Sequence, residues 1–269
     1  MICRVALIGA AGKMNKMILG LLRDHPEVRL TGAFVRPGHP WVGLDVGTAL
    51  GGEMFGVVAT DDLNKALHNA EVAIDFSSPE MTVELARAAA KARISLVIGT
   101  TGLEEHARAV LLEAARVVPV VYAPNMGVGI AVLRALVEEA SRRLGRDWDV
   151  EVLEIHHRDK KDSPSGTALV LGGAALSPRG QRPEQAAVYR GRGMTGPRTR
   201  EEAGFASLRG GDVVGEHTVF FLGPGERIEL THRATDRGVF ARGALRAARW
   251  LHGQEPALYD MRNVLGLVS

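Results

Sequence analysis

Among its 269 residues the chain has one cysteine, Cys3. A single thiol excludes an intramolecular disulfide and fits a reducing compartment. Cys3 falls in the first strand-like run, where the plainer reading is a small buried hydrophobe rather than a reactive thiol. No apolar stretch approaches the roughly 18 residues needed to span a bilayer. The N-terminus does not read as a secretory signal either, because the apolar run from Val5 to Ile8 breaks at once into Gly9 and Gly12. An excess of one charge is also lacking. With 33 basic and 31 acidic side chains the net charge is +2, which argues against a polyanion as the main partner but leaves room for a local basic site holding a small anion. Aromatic residues make up 5%, and the Arg/Gly-rich stretch Tyr189–Arg200 offers one aromatic ring for stacking on bases. The expectation is a cytoplasmic protein that binds neither membrane nor nucleic acid, with Tyr189–Arg200 as a mobile loop.

Hydrophobic residues at 46% and charged residues at 24% suit a chain able to bury a core. At roughly 100–200 residues per domain the length suggests two domains, with one large α/β domain as the alternative. Strand-like runs at Cys3–Ile8, Arg29–Val35, Val72–Phe76, Ser95–Ile98 and Val117–Tyr122 alternate with helical patterns at Lys13–Arg23, Pro79–Ala92 and Glu104–Ala115. Such alternation indicates βαβ units and a parallel sheet. After Asn125 the pattern changes. A helix over Gly129–Leu144 leads to a strand over Asp149–Ile155 and a helix over Ser165–Leu176. Strands at Ala203–Leu208, Val213–Phe221 and Arg227–Thr231 read as neighbours in a mainly antiparallel sheet, with Gly223-Pro224-Gly225 as a turn. A helix over Val239–His252 returns to the first domain. The fold class expected is α/β, a Rossmann-like doubly wound parallel sheet with an inserted α+β domain. The dinucleotide domain is 1–127 plus 238–269, and the substrate and oligomerisation domain is 128–237.

Two constellations carry chemistry. Gly9-Ala10-Ala11-Gly12-Lys13-Met14 follows a strand and opens a helix. Glycines there let a backbone approach a pyrophosphate, and a helix N-terminus offers unpaired N–H groups and a favourable dipole. Gly99-Thr100-Thr101-Gly102 and Ala123-Pro124-Asn125-Met126 follow later strands, so all three turns fall on the sheet edge where doubly wound folds bind ligands. The second constellation runs from Glu154 to Thr167 and contains His156, His157, Lys160, Ser165, Gly166 and Thr167. A strand ends there in two histidines and a basic loop, and Pro164, Ser165 and Thr167 start a helix. Proton donors of two types thus stand beside a helix N-terminus suited to a carboxylate; a solvated charged loop is the alternative from composition alone. No metal is expected, since no further His/Cys/Glu cluster has ligand spacing.

The stretch EIHHRDKKDSPSGTA resembles the signature of the dihydrodipicolinate reductases. VALIGAAGKM, IDFSSPE, VIGTTGL, GERIELTHRA and the closing MRNVL fall in the order found in that family. The resemblance implies that His156 exchanges a proton near the reacting ring, that Lys160 donates one, and that His157 contacts the substrate. It further implies that Ser165-Gly166-Thr167 holds a substrate carboxylate, and that Arg237 lies near the active-site histidine. Gly9–Met14, Gly99–Thr101 and Ala123–Met126 match dinucleotide contacts. The implied reaction is reduction of a small cyclic dicarboxylate, 4-hydroxy-tetrahydrodipicolinate or dihydrodipicolinate, to tetrahydrodipicolinate in lysine (diaminopimelate) biosynthesis, by a homotetramer. Asn15, Gly127 and Asp236 depart from the usual glycine, serine and serine. Val35 stands where an acidic residue would accept hydrogen bonds from the ribose of NADH, and Arg36 follows it. With Lys13 in the glycine loop, NADPH is the preferred cofactor expected, with NADH usable. A related reductase of another cyclic imine, and a non-catalytic dinucleotide sensor, are the rival readings.

Overall fold

Short apolar strands, each followed by a helix or turn, set the architecture. The computed structural model describes residues 2–190 and 192–267. In chain order the elements are β1 (Cys3–Ile8), α1 (Lys13–Leu22), β2 (Val28–Phe34), α2 (Val46–Ala49), α3 (Leu63–Leu67), β3 (Val72–Asp75), α4 (Pro79–Ala92), β4 (Ser95–Ile98), α5 (Glu105–Ala115) and β5 (Val120–Tyr122). Then follow α6 (Val128–Leu144), β6 (Asp149–His156), α7 (Gly166–Leu176), α8 (Pro183–Ala186), β7 (Ala187–Val188), β8 (Ala203–Arg209), β9 (Gly215–Gly223) and β10 (Glu226–Ala234). The chain closes with α9 (Gly238–Trp250), β11 (Leu258–Tyr259) and α10 (Met261–Val264). It divides into two units, Met1–Val128 with Gly238–Ser269, and Gly129–Arg237.

The first unit holds a six-stranded sheet in the order β11-β5-β4-β3-β1-β2. Every pairing in it is parallel. Strand β1 has β2 on one side and β3 on the other, so the winding reverses there, and the turn after β1 opens at the place where such sheets bind ligands. Val5, Ala6, Leu7 and Ile8 are fully buried, as expected of a strand covered on both faces. On one face Ala6, Ile8, Leu96 and Ile98 pack with Leu85, Ala86 and Ala89 of α4 and with Ala107 and Leu111 of α5. Helix α4 shows why its limits were readable. Ser78 caps it by accepting the Met81 N–H, Pro79 occupies its first turn, and Arg93 ends it in a left-handed conformation.

The second unit has a five-stranded sheet in the order β10-β9-β6-β8-β7. Its core joins Val150 and Val152 of β6, Val219 and Phe221 of β9, and Leu171 and Ala175 of α7. The expectation of a mainly antiparallel sheet with β8 beside β9 is corrected here. β6 lies between them, parallel to β8 and antiparallel to β9, and β7 adds a second parallel pair. Residues 210–214 carry the chain across the end of β6, where the Gly210 N–H donates to the His156 carbonyl at 3.0 Å and the Arg158 N–H donates to the Gly211 carbonyl at 3.2 Å. The stretch 189–200 is irregular, but two of its arginines are fastened. Arg198 donates to Asp149 at 2.6 Å and to the Val150 and Glu202 carbonyls at 2.8 Å, and Arg190 pairs with Glu151 and Glu202. Gly191 of that stretch lies outside the described residues.

Candidate active site

Strand β6 alternates half-buried and buried positions, and Val150, Val152, Glu154 and His156 share the buried face. Two apolar residues on that face are therefore followed by a carboxylate and an imidazole. Glu154 is fully buried, and such a charge is tolerated only when paired and hydrogen-bonded. It is both. The Arg209 guanidinium donates to its two oxygens at 2.6 and 2.8 Å, the Ser165 N–H donates at 3.2 Å, and His156 Nδ1 lies 2.5 Å from Oε2. Burial alone would raise the Glu154 carboxyl, but Arg209, Ser207 and His156 together outweigh it and hold the carboxyl at about 2.

An ionised carboxylate only accepts hydrogen bonds, so the proton between the two groups sits on His156 Nδ1. His156 Nε2 is then the ring atom left for proton exchange, and it faces the backbone of Gly215, where a Cβ would come within 3.0 Å of it. Burial pushes His156 below the ordinary histidine value, and Glu154 opposes that shift. The ring is neutral at pH 7, with a carboxylate beside it to stabilise the cation it becomes on taking a proton. His217 meets it edge-to-face, with ring centroids 5.1 Å apart. Burial, reinforced by His156, pushes His217 down to about 4, so the second ring stays uncharged.

Helix α7 begins against this cluster. Ser165 caps it, accepting the Ala168 N–H at 3.1 Å, and the same Oγ lies 3.0 Å from His217 Nε2. Gly166 opens on empty space, with nothing within 4 Å of where its Cβ would be, and Thr167 follows it half-buried in the first turn. Lys160 Nζ donates to both oxygens of Asp162 at 2.8 and 3.0 Å, which lowers the Asp162 carboxyl. His157 is half-buried beside them. The structure thus gathers His156 and Ser165 around Glu154, with the Lys160 loop tied in because Arg209 also donates to the Asp162 carbonyl at 2.8 Å. Arg237 lies exposed in the link from β10 to α9.

In the first unit the three expected turns follow β1, β4 and β5 and share one edge of the sheet. Gly9 has φ +77°, a conformation open to glycine at little cost, and a Cβ there would come within 3.2 Å of the Ser77 Cβ. The Gly9 and Ala10 N–H groups donate to the Phe34 carbonyl at 3.0 and 2.9 Å and the Gly12 N–H to the Gly9 carbonyl at 2.8 Å, so a ligand at this turn would meet the N–H groups of Ala11, Lys13 and Met14. Gly12 caps α1 without any side-chain hydrogen bond, and the first turn holds no acidic residue. That bare N-terminus fits a pyrophosphate. Asn15, one of the departures from the family pattern, is fully buried. Its Nδ2 donates to the Ile8 and Gly9 carbonyls at 2.7 and 2.9 Å, pinning the turn from within. Thr100 is buried, Thr101 exposed, and Asn125 Oδ1 accepts the Gly127 N–H at 2.9 Å. Val35 is buried, while Lys13 and Arg36 are exposed. Among the described residues no three His, Cys, Asp or Glu side chains gather as a metal would require, and no helix is long and apolar enough to cross a membrane.

Sequence reasoning placed Glu154 at the head of this segment without giving it a role, and missed Arg209 and His217 as members of the cluster. Glu154 carried a signal, being a charge on the buried face of a strand two positions before a histidine. Arg209 and His217 did not: they lie 55 residues from Glu154 and 52 from Ser165 in sequence, and reach the site through the registers His156↔Arg209 and Glu154↔His217.

Comparison with known proteins gives these features a family. Residues 3–126 match the model for the dihydrodipicolinate reductase N-terminus and residues 129–265 the model for its C-terminus. The chain is 53% identical over 264 residues to 4-hydroxy-tetrahydrodipicolinate reductase of Anaeromyxobacter dehalogenans strain 2CP-1, covering 98% of each chain. It is 47% identical to the reductase of the same name from Hahella chejuensis, over 98% of this chain and 99% of that one. In fold it is similar to a dipicolinate-bound dihydrodipicolinate reductase from Paenisporosarcina sp. TG-14, with a TM-score of 0.78 at 20% identity over 98% and 99% of the two chains. With both of its units matched and relatives of this identity along nearly its whole length, the chain belongs to the dihydrodipicolinate reductase family.

Proposed function

We propose that this chain reduces 4-hydroxy-tetrahydrodipicolinate or dihydrodipicolinate to tetrahydrodipicolinate, with NADPH preferred and NADH usable, as a homotetramer in the cytoplasm. The first unit serves the dinucleotide through Gly9–Met14, Gly99–Thr101 and Ala123–Met126, and the second unit serves the substrate and assembly. The observation that carries the reading is the buried Glu154–His156 pair: burial keeps the imidazole neutral, while Glu154 holds the proton on Nδ1 and leaves Nε2 available beside the N-terminus of α7. A non-catalytic sensor has no use for a proton carrier built at that cost.

A bound reduced nicotinamide would supply the hydride. The chain's residues handle the proton and the carboxylates. His156 passes a proton through Nε2 while Glu154 holds Nδ1–H and offsets the charge of the imidazolium. Lys160, exchanging Asp162 for the substrate, is the second donor, and His157 and Arg237 contact the substrate. Ser165, Gly166 and Thr167 receive a carboxylate at the helix N-terminus, where N–H groups and dipole favour an anion. Arg36 and Lys13, with Val35 in place of an acidic residue, favour the 2′-phosphate of NADPH. The deciding experiment generates the substrate freshly in a coupled assay and follows oxidation of each reduced cofactor. Consumption of NADPH, and more slowly of NADH, dependent on that substrate is expected. Activity on other cyclic imines but not on this one would overturn the substrate assignment.

A further inference from the structure

The segment Ile74-Asp75-Phe76-Ser77-Ser78-Pro79-Glu80 plays no part in the proton chemistry above, yet it contains a second fully buried carboxylate. Asp75 is 0% exposed at the end of β3, and among the described residues it has no cation within ion-pair distance. Hydroxyl and N–H donors surround it instead. Oδ1 accepts the Ser77 N–H at 2.9 Å and the Ser77 Oγ–H at 2.5 Å. Oδ2 accepts the hydroxyls of Thr82 at 2.5 Å and Thr100 at 3.0 Å. A carboxylate in such a place pays desolvation that another Val or Ile, the residues preceding it, would not. What it gains is a tie among three segments: the turn after β3, the first turn of α4 and the turn after β4.

Those segments adjoin the glycine turn. Ser77 is the residue against which a Cβ on Gly9 would press, at 3.2 Å, and a Cβ on Gly99 would fall inside the Phe76 ring, at 2.1 Å. The Ser77 N–H also reaches the Thr100 hydroxyl at 3.2 Å. Ser77 therefore touches the turn after β1, and both Ser77 and Thr100 are fixed from below by one side chain. We infer that Asp75 is a positioning residue of the nucleotide site, holding the turns after β1, β3 and β4 in the arrangement that admits the cofactor. This rests on the reading of the first unit as the dinucleotide domain. The preformed turns spare the cofactor the ordering of its own site, and losing that order appears as lost affinity.

The four donors divide into two kinds, which makes the inference testable apart from stability. Thr100 belongs to a turn on the ligand edge, whereas Thr82 lies within α4 and its hydroxyl also bonds the Ser78 carbonyl at 3.1 Å. The experiment titrates NADPH into the full-length protein by nucleotide fluorescence, without substrate, for the parent, Asp75→Asn, Thr100→Val and Thr82→Val, and NADH into the parent, with a thermal melt of each. Asp75→Asn and Thr100→Val are expected to bind roughly tenfold more weakly, the effect of one good hydrogen bond's worth of order. Thr82→Val, which loses melting temperature, is expected to bind within about twofold of the parent. Equal loss in Thr82→Val and Thr100→Val would reduce the role to stability and overturn the inference. Parent-like binding by Asp75→Asn would overturn it alone, while a parent that binds neither NADPH nor NADH would overturn the reading of the first unit as well.

Discussion

Replacing Glu154 with Gln keeps the shape of the side chain and removes its charge. The amide has one accepting oxygen for four groups: two Arg209 nitrogens, His156 Nδ1 and the Ser165 N–H. Its NH₂ would also point at another donor. Breaking a buried pair by removing one partner costs about 3–5 kcal/mol. Arg209 keeps 21% of its side chain exposed and recovers some hydration, so the lower end, about 3 kcal/mol, is expected. A second route gives the same figure. A carboxyl held at about 2 against an ordinary 4.5 contributes about 3 kcal/mol at neutral pH. For a protein of this size that corresponds to roughly 6–12 °C in Tm. The sign of the pH dependence follows from the depressed value. The contribution is complete above pH 4.5 and is lost as pH falls toward 2, so the stability gap between parent and Glu154→Gln narrows on acidification. Thermal unfolding at pH 7 and at pH 3.5 measures it. A variant within 2 °C of the parent, or a gap independent of pH, would refute the reasoning.

Three further outcomes are expected. His217 is held at about 4 against an ordinary 6.5, so its neutral form contributes full stability above pH 6.5 and loses it as pH falls toward 4; unfolding of His217→Gln should lack that segment of the acid dependence, about 3 kcal/mol, and an unchanged profile would contradict it. Gly215→Ala places a methyl 3.0 Å from His156 Nε2, so turnover should fall by about tenfold or more while steady-state cofactor binding is unchanged; parent-like turnover would show that Nε2 is not the working atom. Arg36→Ala should lower the NADPH-to-NADH ratio of kcat/KM by roughly 10–100-fold, one charge-assisted hydrogen bond of about 1.5–3 kcal/mol, and a constant ratio would remove Arg36 from cofactor choice.

The alternation of apolar strands with capped helices made most of the first unit readable. Helices α1, α4 and α5 begin within a residue or two of the positions that the helical pattern gave. Strands β7 and β11 escaped because two residues carry no pattern. The order of the second sheet escaped for a different reason. Period-2 alternation says which face of β8 is buried, not which strand lies beside it, and the crossing of residues 210–214 over β6 is a tertiary fact. The same limit applies at the site. His156, Lys160 and Ser165 stand within one short segment, whereas Arg209 and His217 are brought to them by strand register. The Tyr189–Arg200 loop read as mobile because its composition is that of a linker, yet Arg198 finds acceptors on β6 and ahead of β8 that no local window contains.

The measurement closest to the central claim compares the parent with His156→Gln in the coupled assay, alongside NADPH titration of both proteins. The account predicts that His156→Gln loses about 10²–10⁴-fold in kcat, the contribution of a positioned proton carrier, while its affinity for NADPH stays within about twofold of the parent. A His156→Gln variant that turns over at the parent rate would contradict the account.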